Sequence, residues 1–296
     1  MRVVSISVND YANFMHENAK ALRSIGVDCV DLIQSRHIFN YKTQGQIANQ
    51  QQMIQQIKSA DIVQVNDSHP ELFKLAKTYC KGKIVVYHIG TRYREKHEEL
   101  NKLFEGHTTI TDQCEFMVLG DHKYLVSPVE MEFSGVAKEK PYKIAHYPSN
   151  PEVKGTAKII ELIKKVSSRY DFKLSLKTVS HDQQIDRMRG CDIYVELFKP
   201  EINGKQYGCF GVTALEAAAM GKIVVTNNLF PDVYKDVYGV CPLTIINTED
   251  NFVSYFNQLL KMDVNFIADI QKQNYELMRE NHSCEATGNR ILKLIS

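Results

Sequence analysis

The chain has 296 residues, 24% of them charged and 44% hydrophobic, with a formal net charge of +1. That length has room for two ordinary domains, and the balance is that of a soluble globular protein, with no overall electrostatic case for nucleic acid. No apolar run approaches ~20 residues and the opening MRVVSISVND has no apolar core leading to a cleavage site, so neither a membrane span nor a secretory leader is expected.

The predicted elements alternate from the start of the chain. RVVSISV reads as a strand, ANFMHENAKALRSIG as an amphipathic helix stopped by Gly26, and VDCVDLI as a second strand. SADIVQVN, ELFKLAKTYC and GKIVVYHIG repeat the order of strand, helix and strand. Such alternation predicts a parallel sheet covered by helices, with ligand sites at the C-terminal ends of the strands. EFSGVAKEKPY, with Gly135 and Pro141, reads as a linker, and the pattern restarts near residue 141. KIAHYPS is a strand and turn, VKGTAKIIELIKKVSSRY a helix, DFKLSLKTV a strand, HDQQIDRMRGC a short helix and DIYVEL a strand. In YGCFGVTALEAAAMGKIVVTNN a loop passes into a helix and then a strand; CPLTII, a helix from about Asp250 and two more helical segments complete the chain. The expectation is an α/β fold of two doubly wound, Rossmann-like domains facing a cleft, one over residues 1–135 and one over 141–282, with a C-terminal helix (283–296) packed back on the first.

The seven cysteines are scattered and never in C-x-x-C spacing, which favours reduced thiols in a cytoplasm over disulfides or a zinc site. G-x-G-x-x-G, the P-loop, G-x-S-x-G, H-E-x-x-H and a metal-holding D-x-D are all absent. What remains is a fold suited to a phosphorylated ligand with no obvious metal.

Two places bear on such a ligand. SNPEVKGT (149–156) lies where a strand gives way to a helix. Unpaired N–H groups there suit an anion, Lys154 adds a mobile charge, and Gly155 permits close approach. The same residues also read as an ordinary helix cap with a solvated lysine. Glu216 stands among Leu215, Ala217, Ala218 and Ala219, which leave it little polar face to join. It is either a solvent-facing helical glutamate or a carboxylate accepting hydrogen bonds, for which two sugar hydroxyls are good donors.

In combination and order, HYPSNPEVKGT, CDIYVE and YGCFGVTALEAAAMGKIVVTNN resemble the retaining, nucleotide-sugar-dependent glycosyltransferases of the GT-B fold, in the large family 4. The resemblance covers residues 141–228 well and the first half only through ANFMHENAKALRSIGVDC and VVYHIGTRYR. It implies that Lys154 holds the donor diphosphate and stabilises it as leaving group, the charge-stabilising work that a metal performs in other transferases. It implies that Glu216 binds the nucleotide ribose and that Gly211, Val212 and Thr213 offer N–H groups to phosphate, with Ser149, Asn150, Gly155, Gly208 and Phe210 completing the donor site. His88 matches the histidine that faces the donor sugar from the other domain, and equally reads as a satisfied loop histidine. Asp10, Tyr11, His16, Arg92 and Arg94 are the acceptor-side candidates, with Glu17 beside them; surface helix positions and a solvated basic turn are the alternative for these.

The chain departs from the family where a glutamate would precede Glu216, a position held by Gly208, and where an arginine would precede Lys154, a turn held by Ser149 and Asn150. The implied reaction moves a sugar, most simply from a UDP-sugar, to an acceptor hydroxyl with retention of configuration and without a metal or other cofactor. The acceptor is a saccharide, lipid or small molecule, or a hydroxymethylated pyrimidine in DNA, for which RYREK and KEKPYK are the local basic features. A nucleotide-sugar epimerase of the same fold and a non-catalytic nucleotide-sugar-binding subunit are the alternatives.

Overall fold

In a computed structural model that describes the chain apart from Asn203, Gly208 and Cys209 and the side chains of Ile202, Lys205 and Gln206, β-branched runs form parallel strands in two separate sheets. The first unit, Met1–Pro128 with His282–Ser296, contains β1 (Arg2–Ser7), α1 (Phe14–Ser24), β2 (Asp28–Ile33), β3 (Gln46–Ile47), α2 (Gln50–Lys58), β4 (Ile62–Val65), α3 (Pro70–Tyr79), β5 (Lys83–His88), α4 (Gly90–Leu103), β6 (Thr108–Thr111) and β7 (Lys123–Tyr124). Its sheet runs β3-β2-β1-β4-β5-β6-β7 with every pair parallel. Chain order reverses direction between β1 and β4, the kind of position where doubly wound sheets take ligands.

Both faces of this sheet are covered, which explains strands written as continuous apolar runs rather than as alternation. Val4, Val63, Val65 and Val86 join Met53, Ile57, Phe73 and Leu100 of α2, α3 and α4 on one face. Val3, Ile62, Val85 and Tyr87 join Phe14, Ala19 and Leu22 of α1 on the other, together with Ile291 and Ile295 from the C-terminal helix.

The second unit, Val129–Asn281, contains β8 (Lys143–His146), α5 (Thr156–Lys165), β9 (Asp171–Leu174), α6 (His181–Arg189), β10 (Ile193–Val195), the hairpin strands β11 (Glu201–Ile202) and β12 (Lys205–Gln206), α7 (Val212–Ala219), β13 (Ile223–Thr226), α8 (Pro231–Tyr238), β14 (Thr244–Ile245), α9 (Glu249–Leu259) and most of α10 (Val264–His282). Its parallel sheet runs β14-β13-β10-β8-β9, so its switch point lies between β8 and β10. α5 and α9 close one face through Ile159, Leu162, Phe252 and Phe256 over Ile144, Ile193, Val195 and Val225.

Two expectations change. The 132–142 stretch is not a free linker: Ser134 N–H donates to Met220 O (3.2 Å), Ala137 N–H donates to Gln271 Oε1 (2.8 Å), and Glu132 pairs with Arg189, all inside the second unit. The strand expected across 171–179 ends at Leu174: β9 is an edge strand, Leu174 and Leu176 are exposed, and among the described residues no strand pairs with its outer side. Within CPLTII, Thr244–Ile245 form β14.

The last helix, α11 (Cys284–Ile295), lies against α1 at Gly288. A Cβ there would press into the backbone carbonyl of Ala21, an atom that cannot rotate away. Gly288→Val is expected to destabilise the protein by about 1–3 kcal/mol through overpacking. Chemical denaturation checks this, and an unchanged midpoint would show that the two helices do not approach so closely.

Candidate functional site

The C-terminal ends of β8 and β10 flank the second unit's switch point, and both loops are fixed by specific contacts. After β8, Asn150 Oδ1 accepts from the N–H of Glu152 (3.1 Å) and Val153 (3.2 Å), and Asn150 O accepts from Lys154 N–H (3.0 Å). Gly155 then adopts φ +68°, and a Cβ there would collide with the Phe198 carbonyl, so both conformation and space demand glycine. Phe198 N–H donates back to Lys154 O (3.2 Å), and Lys199 Nζ donates to Glu152 O (2.9 Å). Beneath them the fully buried His146 contacts Val195 O through Nδ1 (2.7 Å) and Thr156 Oγ1 through Nε2 (2.9 Å). A carbonyl can only accept, so Nδ1 carries the proton, and burial lowers the ring's pKa and keeps it neutral.

Lys154 Nζ forms an ion pair with Glu196 Oε1, the residue that follows β10. Glu196 is only 2% exposed. Both charged atoms sit at the start of α7: a Cβ on Gly211 would lie 3.0 Å from Glu196 Oε1 and 3.1 Å from Lys154 Nζ. Gly211 has φ −85°, so glycine serves there to leave room rather than to permit an unusual backbone. A lysine, a buried carboxylate and the first N–H groups of a helix thus converge on one point.

Glu216, one turn into α7, does not face solvent. His181 Nε2 donates to Glu216 Oε1 at 2.6 Å, and the side chains are 25% and 12% exposed. His181 is held at the first position of α6, where Ser180 and Gln183 form a reciprocal cap. Nearby in chain order, the Arg187 guanidinium lies 4.6 Å over the Tyr147 ring.

Of the other donor-side expectations, Val212 and Thr213 are half-buried at the start of α7 and Ser149 is exposed. The Asn150 side-chain oxygen accepts within its own turn. Phe210 is buried, 4% exposed, and its ring packs edge-on against Tyr234. Gly208 lies outside the described residues.

In the first unit the polar residues at the strand ends pair with one another, while His16 Nε2 and His88 Nε2 are buried with no hydrogen-bond partner among the described residues. Asp10 accepts from the N–H of Met15 (2.9 Å) and His16 (2.8 Å) and from Asn66 Nδ2 (3.0 Å), joining the ends of β1 and β4. Burial outweighs those hydrogen bonds and lifts its pKa to about 7. His16 donates from Nδ1 to Asp31 (2.7 Å), which also pairs with Arg23 (2.6 Å), and Arg94 pairs with the buried Glu115 (2.7 Å). His88 is fully buried, bonded to Ser68 Oγ (2.6 Å) and stacked 4.1 Å from Tyr93, and burial pushes its pKa down to about 3. His16, His88 and Arg94 thus each have a partner inside the first unit. Tyr11, 51% exposed, and Arg92, 3.3 Å from Asp67, are the acceptor-side candidates that reach the surface.

Sequence reasoning missed Glu196 and His181. Glu196 had a usable signal, an acid closing the apolar strand DIYVE, where a buried parallel strand ordinarily carries none. His181 had none, because its partner is 35 residues away. Among the described residues there is no group of three or more His, Cys, Asp or Glu placed to hold a metal, and no helix is long and apolar enough to cross a membrane.

No protein-family model and no curated protein sequence matches the chain. Solved structures match it along its length. Anabaena Alr3699/HepE, in complex with UDP and glucose, superposes with a TM-score of 0.68 at 12% identity, over 99% of this chain and 98% of that one. Sucrose-phosphate synthase from Thermosynechococcus elongatus gives 0.66 at 10% identity over 99% and 98%. The lipopolysaccharide outer core galactosyltransferase WaaB gives 0.64 at 13% identity over 100% and 99%. The chain has the α/β GT-B fold of two Rossmann-like units.

The Asp10 pKa rises from 3.8 to about 7 on folding, so the folded state holds a proton that the unfolded chain releases. The stability this contributes is complete below pH 3.8 and is lost as pH rises to about 7. Asp10→Asn carries no titrating proton there. Over that window the wild type should lose stability relative to the variant in urea denaturation, and a constant difference would refute the raised pKa.

Proposed function

We propose that the protein is a nucleotide-sugar-dependent glycosyltransferase that binds a nucleoside diphosphate sugar, most simply a UDP-sugar, on its second unit. The observation that carries this reading is the convergence of Lys154 with the Gly211 end of α7 at the sheet's switch point. Bound UDP in the HepE structure, which has the same fold, supports the choice of nucleotide. In this reading Lys154 and the N–H groups of Gly211, Val212 and Thr213 hold the diphosphate, and Glu216, steadied by His181, accepts from the ribose hydroxyls. Gly155 lets the loop approach, and Ser149 and Asn150 shape the turn that carries the lysine.

The reaction breaks the bond between the anomeric carbon and the diphosphate oxygen and forms one to the acceptor oxygen on the same face. The acceptor's proton leaves with the departing diphosphate, whose growing charge Lys154 stabilises. Such transfer retains configuration, as in family 4, and needs no metal. We assign acceptor binding to the first unit, with Tyr11 and Arg92 as its surface contacts and Asp10, His16 and Arg94 as their support. The acceptor hydroxyl belongs to a saccharide, a lipid or a hydroxymethylated pyrimidine. His88, enclosed on all sides, supports the first unit rather than touching the sugar.

A thermal-shift screen against nucleoside diphosphates and their sugars tests the reading. A ligand at a hundred times its Kd should stabilise the protein by about 2.7 kcal/mol. UDP and a UDP-sugar should stabilise the wild type without added metal, and Lys154→Ala and Glu216→Ala should each abolish most of the shift. If no nucleotide shifts the wild type, the donor-site assignment fails.

A further inference from the structure

The proposed donor site contains a group that an anion should avoid. Glu196 is a buried carboxylate, and its charge lies at the same helix start as the Lys154 ammonium. Lys154 is itself only 14% exposed, so each charge depends on the other for compensation. The β8 and β10 loops that carry them are joined by the Phe198–Lys154 backbone hydrogen bond and by the Gly155 packing against Phe198, so the pair is built into the edge rather than laid on its surface.

Resting on the function proposed above, we propose that Glu196 is an internal competitor for the donor diphosphate. It occupies the position of a phosphate charge, and Lys154 passes from carboxylate to phosphate when donor binds and back when the nucleoside diphosphate leaves.

The balance of physical effects gives the direction. A carboxylate within a few ångströms of a diphosphate repels it strongly even at an effective dielectric constant of about 20. Fixing the lysine in advance saves only the rotamer entropy of one side chain, a smaller effect. Repulsion and competition therefore outweigh pre-ordering, and Glu196 weakens the hold on diphosphate. That suits a transferase, which must release its product, and it makes Glu196 a residue that limits affinity at this site. Glu152, the nearby acid whose carbonyl accepts from Lys199, is exposed and lies outside the ion pair.

Titration calorimetry of Glu196→Gln with UDP, uridine and inorganic pyrophosphate tests the inference. UDP and pyrophosphate should bind at least about tenfold tighter than to the wild type, the coupling expected for side chains in direct contact. Uridine should be unchanged, and the gain should be smaller in the Lys154→Met background, where direct charge repulsion remains but no lysine is left to compete for. The ligand-free variant should unfold at lower temperature, because its lysine is left unpaired, and pyrophosphate should restore it. Glu196→Asp, which loosens the pair without removing it, should give an intermediate gain if the glutamine variant does not fold. UDP affinity that is unchanged or weaker in both variants, with the wild type binding UDP through Lys154, would overturn this inference alone. A wild type that binds neither UDP nor pyrophosphate would overturn the donor-site reading and this inference with it.

Discussion

The ion pair between Lys154 and Glu196 spans the switch point of the second sheet, and the loops around it are shaped by the need to keep both charges compensated. Removing one partner of such a pair typically costs about 3–5 kcal/mol, because the survivor is buried without a counter-charge. The surrounding details follow from that constraint. Gly155 takes a left-handed conformation against the Phe198 carbonyl, His146 ties Val195 to Thr156, and Gly211 leaves the space in which lysine, carboxylate and helix start meet.

The two units use the ends of their strands differently. In the first, Asp10 caps the approach to α1, His16 pairs with Asp31, Arg94 with Glu115, and His88 is stacked inside the unit. Those side chains hold loops in place, and little of their hydrogen-bonding capacity reaches the surface. In the second, Lys154 and Glu216 each have one carboxylate or imidazole partner and retain some exposure. A polar group that is held but not enclosed is what a binding edge requires.

Much of this was legible in the sequence. β-branched runs alternating with amphipathic segments predict the strands and helices, and the restart near residue 141 coincides with β8. Lys154 and Glu216 stand out because each breaks a local rule, one as a cation at a helix start and the other as an acid among alanines. What escaped depends on partners distant in the chain. No local pattern shows that Arg94 meets Glu115, that Ala137 bonds Gln271, or that Glu196 meets Lys154 across 42 residues. The stretch 132–142 looks like a linker because it is charged and carries glycine and proline, and only its tertiary contacts bind it to the second unit.

The most direct test of the account is a crystal structure of the protein with UDP bound. The diphosphate should lie at the first N–H groups of α7, with Lys154 Nζ turned from Glu196 to a phosphate oxygen and the ribose against Glu216. A nucleotide bound elsewhere, or a diphosphate bound there with the Lys154–Glu196 pair intact, would contradict it.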